Sequence, residues 1–425
     1  MKILVVGGGG REHAIVKKLK ESPKHPTLYC CPGNGGIAED AECSNIRATD
    51  IDTMVAYAKQ REIDFVVVAP DDPLVLGMAD AFEEAGFAVF GPRKNAAIIE
   101  GSKAFSKELM KKYHIPTAAY ETFSDADQAI AYVQAQKRFP LVIKADGLAL
   151  GKGVVIAADQ DEAIQAVRSM MLEGAFGKSG STVVIEEFLT GPEVSVLAFT
   201  DGHVVRPMAS SMDHKRALDG DQGLNTGGMG TVAPNPCYTP EIAAWCQDHI
   251  FLPTIQAMRA EGRPFKGCLY FGLMLTPEGP KVIEYNCRFG DPETQVVLPL
   301  LQTDLLEIFE AVAQERLEQL EIQWSSGSAV CVVLASGGYP VKYETGKPIT
   351  GCETLEGEKD IFLYHAGTKE VNGTLVTSGG RVLGVTAVAD TLSEAIKKSY
   401  EAAEKIHFEN MHMRTDIGQR ALKGC

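Results

Sequence analysis

The first hundred residues alternate short apolar runs with helical patterns, and that alternation leaves few folds open. Strand signals lie at residues 2–6, 27–31, 65–69 and 87–90; helical patterns open at Arg11 and cover roughly 52–61 and 75–85. Strands separated by helices are joined by crossovers, so a parallel sheet covered on both faces is expected. Ligands of such sheets bind beyond the C-terminal ends of the strands. Three loops lie there, at residues 7–10, 32–36 and 70–73. Gly7-Gly8-Gly9-Gly10, between a strand and a helix N-terminus, makes a place for an anion. It does not make a dinucleotide fingerprint. Gly7 and Gly9 fit G-x-G, but Glu12 holds the third glycine position, and Pro32-Gly33-Asn34 rather than an acid follows the next strand. An NAD-dependent oxidoreductase is disfavoured on that ground.

From Gly101-Ser102-Lys103 a helix is expected to about residue 113. Lysine favours helix C-termini, so Lys103 at an N-terminus marks either a nearby anion or an ordinary surface position. Residues 140–145 and 154–157 read as two strands of a hairpin whose glycine-rich tip spans 146–153. Such a tip can fold over phosphates with its backbone N–H groups. It is not a P-loop, because Gly147 and Gly151 are too close and no Ser or Thr follows Lys152. Lys144, within an apolar strand, needs an anionic partner if buried. Residues 183–189 read as another strand, left through Gly191-Pro192-Glu193. Asp213-His214-Lys215-Arg216 and Asn225-Thr226-Gly227-Gly228-Met229-Gly230 suit a phosphorylated ligand or a lid, and equally a charged turn and a flexible loop.

Residues 281–291 carry the strongest chemical pattern. A strand's period of two sends Ile283, Tyr285 and Cys287 into a core and turns Glu284, Asn286 and Arg288 the other way. Glu284 and Asn286 then stand roughly 6 to 7 Å apart, so oxygens of both can meet Mg²⁺ or a pair of ions bridging phosphates. Arg288 adds a planar fork for a phosphoryl group or carboxylate. The competing reading is a half-buried strand with a solvated face. Residues 276–280 supply a turn back to 269–275, as in an antiparallel hairpin.

A formal charge of -15 argues against nucleic acid as the main partner, while a local cationic cluster can still bind phosphates. No apolar run is long enough to span a membrane, and the short apolar start is no signal peptide. No membrane association and a cytoplasmic location are expected. Ten cysteines without C-x-x-C spacing point to reduced, mostly buried thiols.

Gly9-Gly10-Arg11-Glu12-His13, Pro32-Gly33-Asn34, Glu100-Gly101-Ser102-Lys103, Ile143-Lys144-Ala145-Asp146-Gly147 and Asp213-His214-Lys215-Arg216 follow one another in a recognisable order. With residues 225–230, 284–294, His365-Ala366-Gly367-Thr368 and Gly379-Gly380-Arg381-Val382, the set closely resembles the phosphoribosylamine–glycine ligase (glycinamide ribonucleotide synthetase) family of the ATP-grasp superfamily. The resemblance covers nearly the whole chain. It implies a multidomain α/β and α+β architecture: a doubly wound parallel sheet binding substrate over 1–102, an ATP-grasp domain over 103–326 with a lid subdomain at about 117–190, and a small α+β domain over 327–425.

The activity it implies is ATP-dependent ligation of glycine to 5-phosphoribosylamine through a glycyl phosphate, with Mg²⁺ or Mn²⁺ as metal. Carried over by position, Glu284 and Asn286 resemble the metal ligands, and Lys103 and Lys144 the contacts to ATP phosphates. Gly147, Gly151 and Lys152 fall in the loop closing over them, Glu186, Glu187 and Leu189 at the adenine, and Glu193 at the ribose. Arg288 and Asp291, with Lys144, match the residues around the transferred phosphoryl group and glycine. Gly9, Gly10, Asn34, Asp71, Asp213, Lys215 and Gly228 lie where the family binds phosphoribosylamine. The chain departs from the family in having Asp71 where a glutamate is common, Met212 for a polar residue and Leu224 for proline, and in lacking an acid in 269–275 where many relatives hold a second metal. Partners are expected to be small molecules alone, acting on a monomer or weak dimer. The alternatives are another ATP-grasp carboxylate–amine ligase or carboxylase, opposed by the Asp213–Arg216 and 32–34 motifs, and a regulatory nucleotide-binding protein, opposed by the presence of Lys144, Glu284, Asn286 and Arg288.

Overall fold

The structure is a computed structural model describing residues 1–148, 153–174 and 177–424. Its first domain is a five-stranded parallel sheet of β1 (Lys2–Gly7), β2 (Thr27–Pro32), β3 (Glu42–Cys43), β4 (Phe65–Val68) and β5 (Ala88–Phe90), in the order β3-β2-β1-β4-β5. Strands covered on both faces read as unbroken apolar runs. In β1, Leu4 and Val6 enter one core while Ile3 and Val5 enter another. The strand order reverses between β1 and β4, so the loops after these two flank the crevice where such sheets bind ligands.

The helix expected over 75–85 is two helices, Asp71–Leu76 and Met78–Glu84. Gly77 separates them at φ +101°, its N–H bonding back to Leu74 and Pro73. A left-handed residue ends a helix there, and glycine adopts that conformation without strain. Asp71 is thereby moved from a loop into the first helical turn.

A second sheet is fully antiparallel, ordered Tyr120–Phe123, Val183–Glu187, Leu141–Ala145, Val154–Ala157. Helices Ala126–Ala135 and Gln160–Met171 pack on the face made by Leu141, Ile143, Ala145, Val183 and Ile185. Alternation therefore puts Lys144 and Glu186 together on the opposite face. A third sheet runs Val205–Pro207, Glu193–Asp201, Lys266–Thr276, Gly279–Asn286, and its last two strands form the expected hairpin.

The C-terminal sheet is centred on Ser328–Ser336, flanked by Arg381–Ala389 and Gly230–Ala233, with helix Leu392–Ala403 packed against it. Met212–Asp213 adds a further strand beside Gly230–Ala233. Two strands of this sheet thus come from the middle of the chain, on either side of the segment bearing Lys215, Gly227 and Gly228. No helix among the described residues is long and apolar enough to cross a membrane. Among the described cysteines eight are free thiols, six of them buried.

Candidate active site

The strand Gly279–Asn286 carries the centre of the site, with one change from the expected alternation. Its register against Lys266–Thr276 slips between Gly272 and Leu273, leaving Ile283 unpaired as a β-bulge. Val282, not Ile283, therefore joins Tyr285 and Cys287 in the core, and Ile283 is half-buried. Beyond the bulge, Glu284 faces Gly272 and Asn286 faces Tyr270 on one side of the sheet, as expected. A Cβ on Gly272 would come within 3.1 Å of Glu284 Cγ, so glycine keeps this face open. The bulge also frees a backbone acceptor. The Ile283 carbonyl accepts from Lys144 Nζ at 3.1 Å.

Four cations act on the Glu284 carboxyl through space. Burial pushes its carboxyl pKa up, but Lys215, Lys144, Lys103 and Arg288 outweigh that and hold it below the ordinary value. Lys103 Nζ donates to the Gly147 carbonyl at 2.8 Å; burial lowers its pKa, and Glu284 opposes the shift. Asp146 accepts from Ala104 N at 3.1 Å and Ser102 Oγ at 3.2 Å, so the anions near this helix start are the chain's own. Lys144, 4% exposed, pairs with Glu186 Oε1 at 2.9 Å. The other oxygen of Glu186 pairs at 3.0 Å with Lys107, whose pKa burial pulls down to about 8.

Arg288 is fixed by Glu100. Its Nη2 donates to Glu100 Oε1 at 3.1 Å and its Nη1 to the Phe289 carbonyl at 3.2 Å. Glu100 also accepts from Cys287 N at 2.7 Å, and with the Asn286 amide turned so that its nitrogen rather than its oxygen faces Glu100, Oε1 accepts from it at 2.9 Å. That bond orients the amide and leaves Asn286 Oδ1 as the side chain's acceptor. Burial raises the Asp71 carboxyl pKa, yet Arg288 and Arg11 hold it below the usual value. The shorter acid is therefore compatible with a place beside Arg288.

The donors around Glu284 suit a hard divalent cation: an ionised carboxylate and an amide oxygen. Among the described residues no three His, Cys, Asp or Glu side chains converge as a metal cage. An ion here would take its remaining oxygens from phosphate.

The glycine turn after β1 is closed by Glu12. Gly9 N donates to Glu12 Oε2 at 2.6 Å, and a Cβ on Gly7 (φ +125°) would lie 2.4 Å from Glu12 Cγ. The acid that breaks the dinucleotide pattern thus caps the helix Gly10–Lys20. Asn34 is fully engaged: Nδ2 donates to the Gly8 and His365 carbonyls at 2.9 and 2.7 Å, and Oδ1 accepts from Gly36 N and Ile37 N. Its side chain ties both N-terminal loops to the C-terminal domain. Asp291 joins the same seam, accepting from Arg11 N at 3.3 Å and Gln295 Nε2 at 2.8 Å and pairing with Arg381 at 3.3 Å.

Asp213 Oδ1 is buried without a protein partner, beside Gly228, whose φ of +117° and proximity (a Cβ 2.7 Å from that oxygen) require glycine. Burial, with Glu293 adding to it, raises the Asp213 pKa well above the carboxylate range. Lys215 pairs with Glu193 at 3.2 Å, and that acid holds its pKa well above the usual lysine value. Glu187 accepts from Ala119 N at 2.9 Å, and Leu189 is half-buried beyond it. Gly151 and Lys152 lie outside the described residues.

Lys103, Lys144, Lys215, Arg288, Glu284 and Asn286 are brought together. Gly9, Gly10 and Asn34 gather instead at the seam of the first and last domains, reached through Asp291. Sequence reasoning assigned no role to Glu100, Lys107 or Arg381. Glu100 follows Ala96, Ala97 and Ile99 on the buried face of helix Lys94–Gly101, and Lys107 stands three residues before buried Met110; a charge on an apolar helix face was the available signal.

Three histidines brace the surrounding loops. His13 Nδ1 accepts from His365 N at 2.7 Å, and its Nε2 faces Asp40 at 3.3 Å. His214 Nε2 accepts from Gly418 N at 3.2 Å, which leaves Nδ1–H to donate to the Gly230 carbonyl at 3.1 Å. Burial lowers the pKa of His13 and of His214 to about 4 and that of His365 to about 3.

Family models match the chain in three blocks: phosphoribosylglycinamide synthetase N domain over residues 1–100, ATP-grasp (A) domain over 101–294 and C domain over 329–420. A phosphoribosylamine–glycine ligase of Caldanaerobacter subterraneus subsp. tengcongensis is 49% identical over 98% of this chain and 99% of its own length. The crystal structure of phosphoribosylamine–glycine ligase from Thermotoga maritima superposes with a TM-score of 0.84 at 34% identity, covering 98% of this chain and 100% of that one. The biotin carboxylase domain of Hydrogenobacter thermophilus 2-oxoglutarate carboxylase shares the fold alone, with a TM-score of 0.75 at 16% identity over 97% of this chain and 91% of that one.

The three histidines fix the sign of an acid response. Each is neutral when folded and takes up a proton on unfolding, so stability is complete above about pH 6.5 and is lost as pH falls towards about 4. Thermal unfolding at pH 5 is expected to show a lower Tm than at pH 7, with each histidine contributing about 1–2 kcal/mol. His214→Gln should shrink that difference, and an identical pH response in the variant would contradict the assignment.

Proposed function

The chain belongs to the phosphoribosylglycinamide synthetase family, and on that premise we propose that it joins glycine to 5-phosphoribosylamine, converting ATP to ADP and phosphate and forming glycinamide ribonucleotide. It is an ATP-dependent ligase of purine biosynthesis. The physical difficulty of the reaction is that a carboxylate anion must approach a polyphosphate. Phosphoryl transfer of this kind depends on positioning and charge neutralisation. The observation that carries the proposal is the placing of cations around the strand of Glu284: Lys144 bonds the Ile283 carbonyl, Arg288 follows the strand and is set by Glu100, Lys103 bonds the Gly147 carbonyl and Lys215 pairs with Glu193, which leads another strand of the same sheet.

In this reading Lys103 and Lys144 take the ATP phosphates, with Gly147, Gly151 and Lys152 in the loop above them. Glu186, Glu187 and Leu189 receive the adenine and Glu193 the ribose. Arg288 holds the glycine carboxylate against the γ-phosphoryl group, and Asp291 takes the glycine ammonium. A glycine oxygen attacks the γ-phosphorus and the bond to the bridging oxygen breaks, releasing ADP. The ribosylamine nitrogen then attacks the acyl carbon, the bond to phosphate oxygen breaks, and the nitrogen loses a proton. Asp213, Lys215, Gly228, Gly9, Gly10, Asn34 and Asp71 form the phosphoribosylamine side, with Asn34 shaping its loops. Glu284 and Asn286 would hold Mg²⁺ or Mn²⁺, which would supply further neutralisation of the polyphosphate.

The division we propose is 1–102 for the substrate domain, 103–326 for the ATP-grasp domain and 327–425 for the C-terminal domain. We read the enzyme as cytoplasmic and as a monomer or weak dimer acting on small molecules; a formal charge of -15 gives nucleic acid little attraction.

Phosphate release by the purified protein should require ATP, glycine and freshly made phosphoribosylamine together, with Mg²⁺ present. Release driven by bicarbonate or another amino acid in place of glycine would contradict the assignment. Glu284→Gln keeps the shape of the side chain and should lower kcat about 100-fold while the protein still folds. Full turnover by that variant at saturating Mg²⁺ would remove Glu284 from the metal site.

A further inference from the structure

Glu186 is a single carboxylate held by two lysines, and the two are held differently. Lys107 is 2% exposed; its Nζ lies 3.0 Å from Glu186 Oε2 and donates to Thr117 Oγ1 at 2.8 Å. Thr117 Oγ1 in turn donates to the Val282 carbonyl at 2.7 Å, and the Tyr120 ring lies 5.6 Å from the ammonium. These contacts leave Lys107 no path to a ligand. Lys144 lies on the other carboxylate oxygen, and its second bond is to the carbonyl of the bulged residue Ile283, one residue before Glu284. It is the lysine that faces the cation cluster, where Glu284 senses its charge.

We propose that Lys107 is a positioning residue, the permanent counter-ion of Glu186, which frees Lys144 to turn from that carboxylate to the phosphates of bound nucleotide. The inference rests on the reading of Lys144 as a phosphate contact. A buried carboxylate stripped of its only cation carries a large penalty. With Lys144 as sole partner, binding to phosphate and pairing with Glu186 would compete. Lys107 removes the competition by staying behind. Through Thr117 and Val282 it also keeps the strand end at Glu186 in register with the strand bearing Glu284.

The test compares the wild type, Lys107→Met, Lys107→Arg, Glu186→Gln and the double variant Lys107→Met/Glu186→Gln, by ATP KM and by direct ATP binding. Lys107→Met is expected to raise the ATP KM about tenfold, with the KM values for glycine and phosphoribosylamine within about twofold of wild type. Lys107→Arg, which keeps the charge, is expected to stay within about threefold. In the Glu186→Gln background no carboxylate remains to compete for Lys144, so adding Lys107→Met should change the ATP KM by less than about twofold. That last comparison holds even if Lys107→Met alone does not fold. An equal increase on adding Lys107→Met in both backgrounds would overturn the proposal, as would a wild-type KM in Lys107→Met. Failure of the wild type to bind ATP would instead sink the nucleotide reading itself.

Discussion

One half-buried carboxylate held charged by four cations governs the rest of the molecule. Glu284 is half-buried, and Lys103, Lys144, Lys215 and Arg288 hold it charged from a helix start, a strand of the second sheet, a loop between sheets and the residues just past its own strand. At an effective dielectric near 20, two unit charges 4 Å apart interact by about 4 kcal/mol, while removing an ion from water costs several. Neither effect dominates by itself, so such a cluster survives only if nearly every charge has a partner. That is the arrangement found. Lys144 and Lys107 share Glu186, Lys215 has Glu193, Arg288 has Glu100 and Arg381 has Asp291. The cations are assembled against internal anions before any polyphosphate arrives.

Holding those cations requires all three domains. The loop bearing Lys215 and Gly228 hangs between Met212–Asp213 and Gly230–Ala233, both strands of the C-terminal sheet. The chain's last residues grip the same loop: Arg414 bonds Asp221, Asp416 and the Arg216 carbonyl, and Gly220 N donates to Asp416. Arg381 spans the Gly227 carbonyl and Asp291, while Asn34 joins the first domain to His365. The C-terminal domain thus braces the loops bearing Lys215, Gly228 and Asn34, and the family's three-block organisation has a physical reason within this chain.

Local patterns in the sequence announced the parts of this arrangement that depend on local rules. Alternating strands and helices foretold the parallel sheet, and the polar face of Glu284, Asn286 and Arg288 stood out by its period of two. Where one residue slipped, the rule failed: the bulge at Ile283 exchanges Val282 for Ile283 in the core, and only cross-strand register shows it. Gly77 splits a helix because its backbone is left-handed, a choice its neighbours do not announce. Glu100 and Lys107 went unassigned because their meaning lies in partners 188 and 79 residues away, Arg288 and Glu186. Pairings at such distances follow from the fold and not from spacing.

The central claim is chemical: the cations are gathered so that the carboxylate of glycine, and no water molecule or protein nucleophile, attacks the γ-phosphorus of ATP. Glycine labelled with oxygen-18 in its carboxylate tests this in a single turnover, with mass analysis of the released phosphate. Direct attack transfers one labelled oxygen from glycine to each phosphate formed. Phosphate that emerges without the label, while glycinamide ribonucleotide is made at the normal rate, would contradict it.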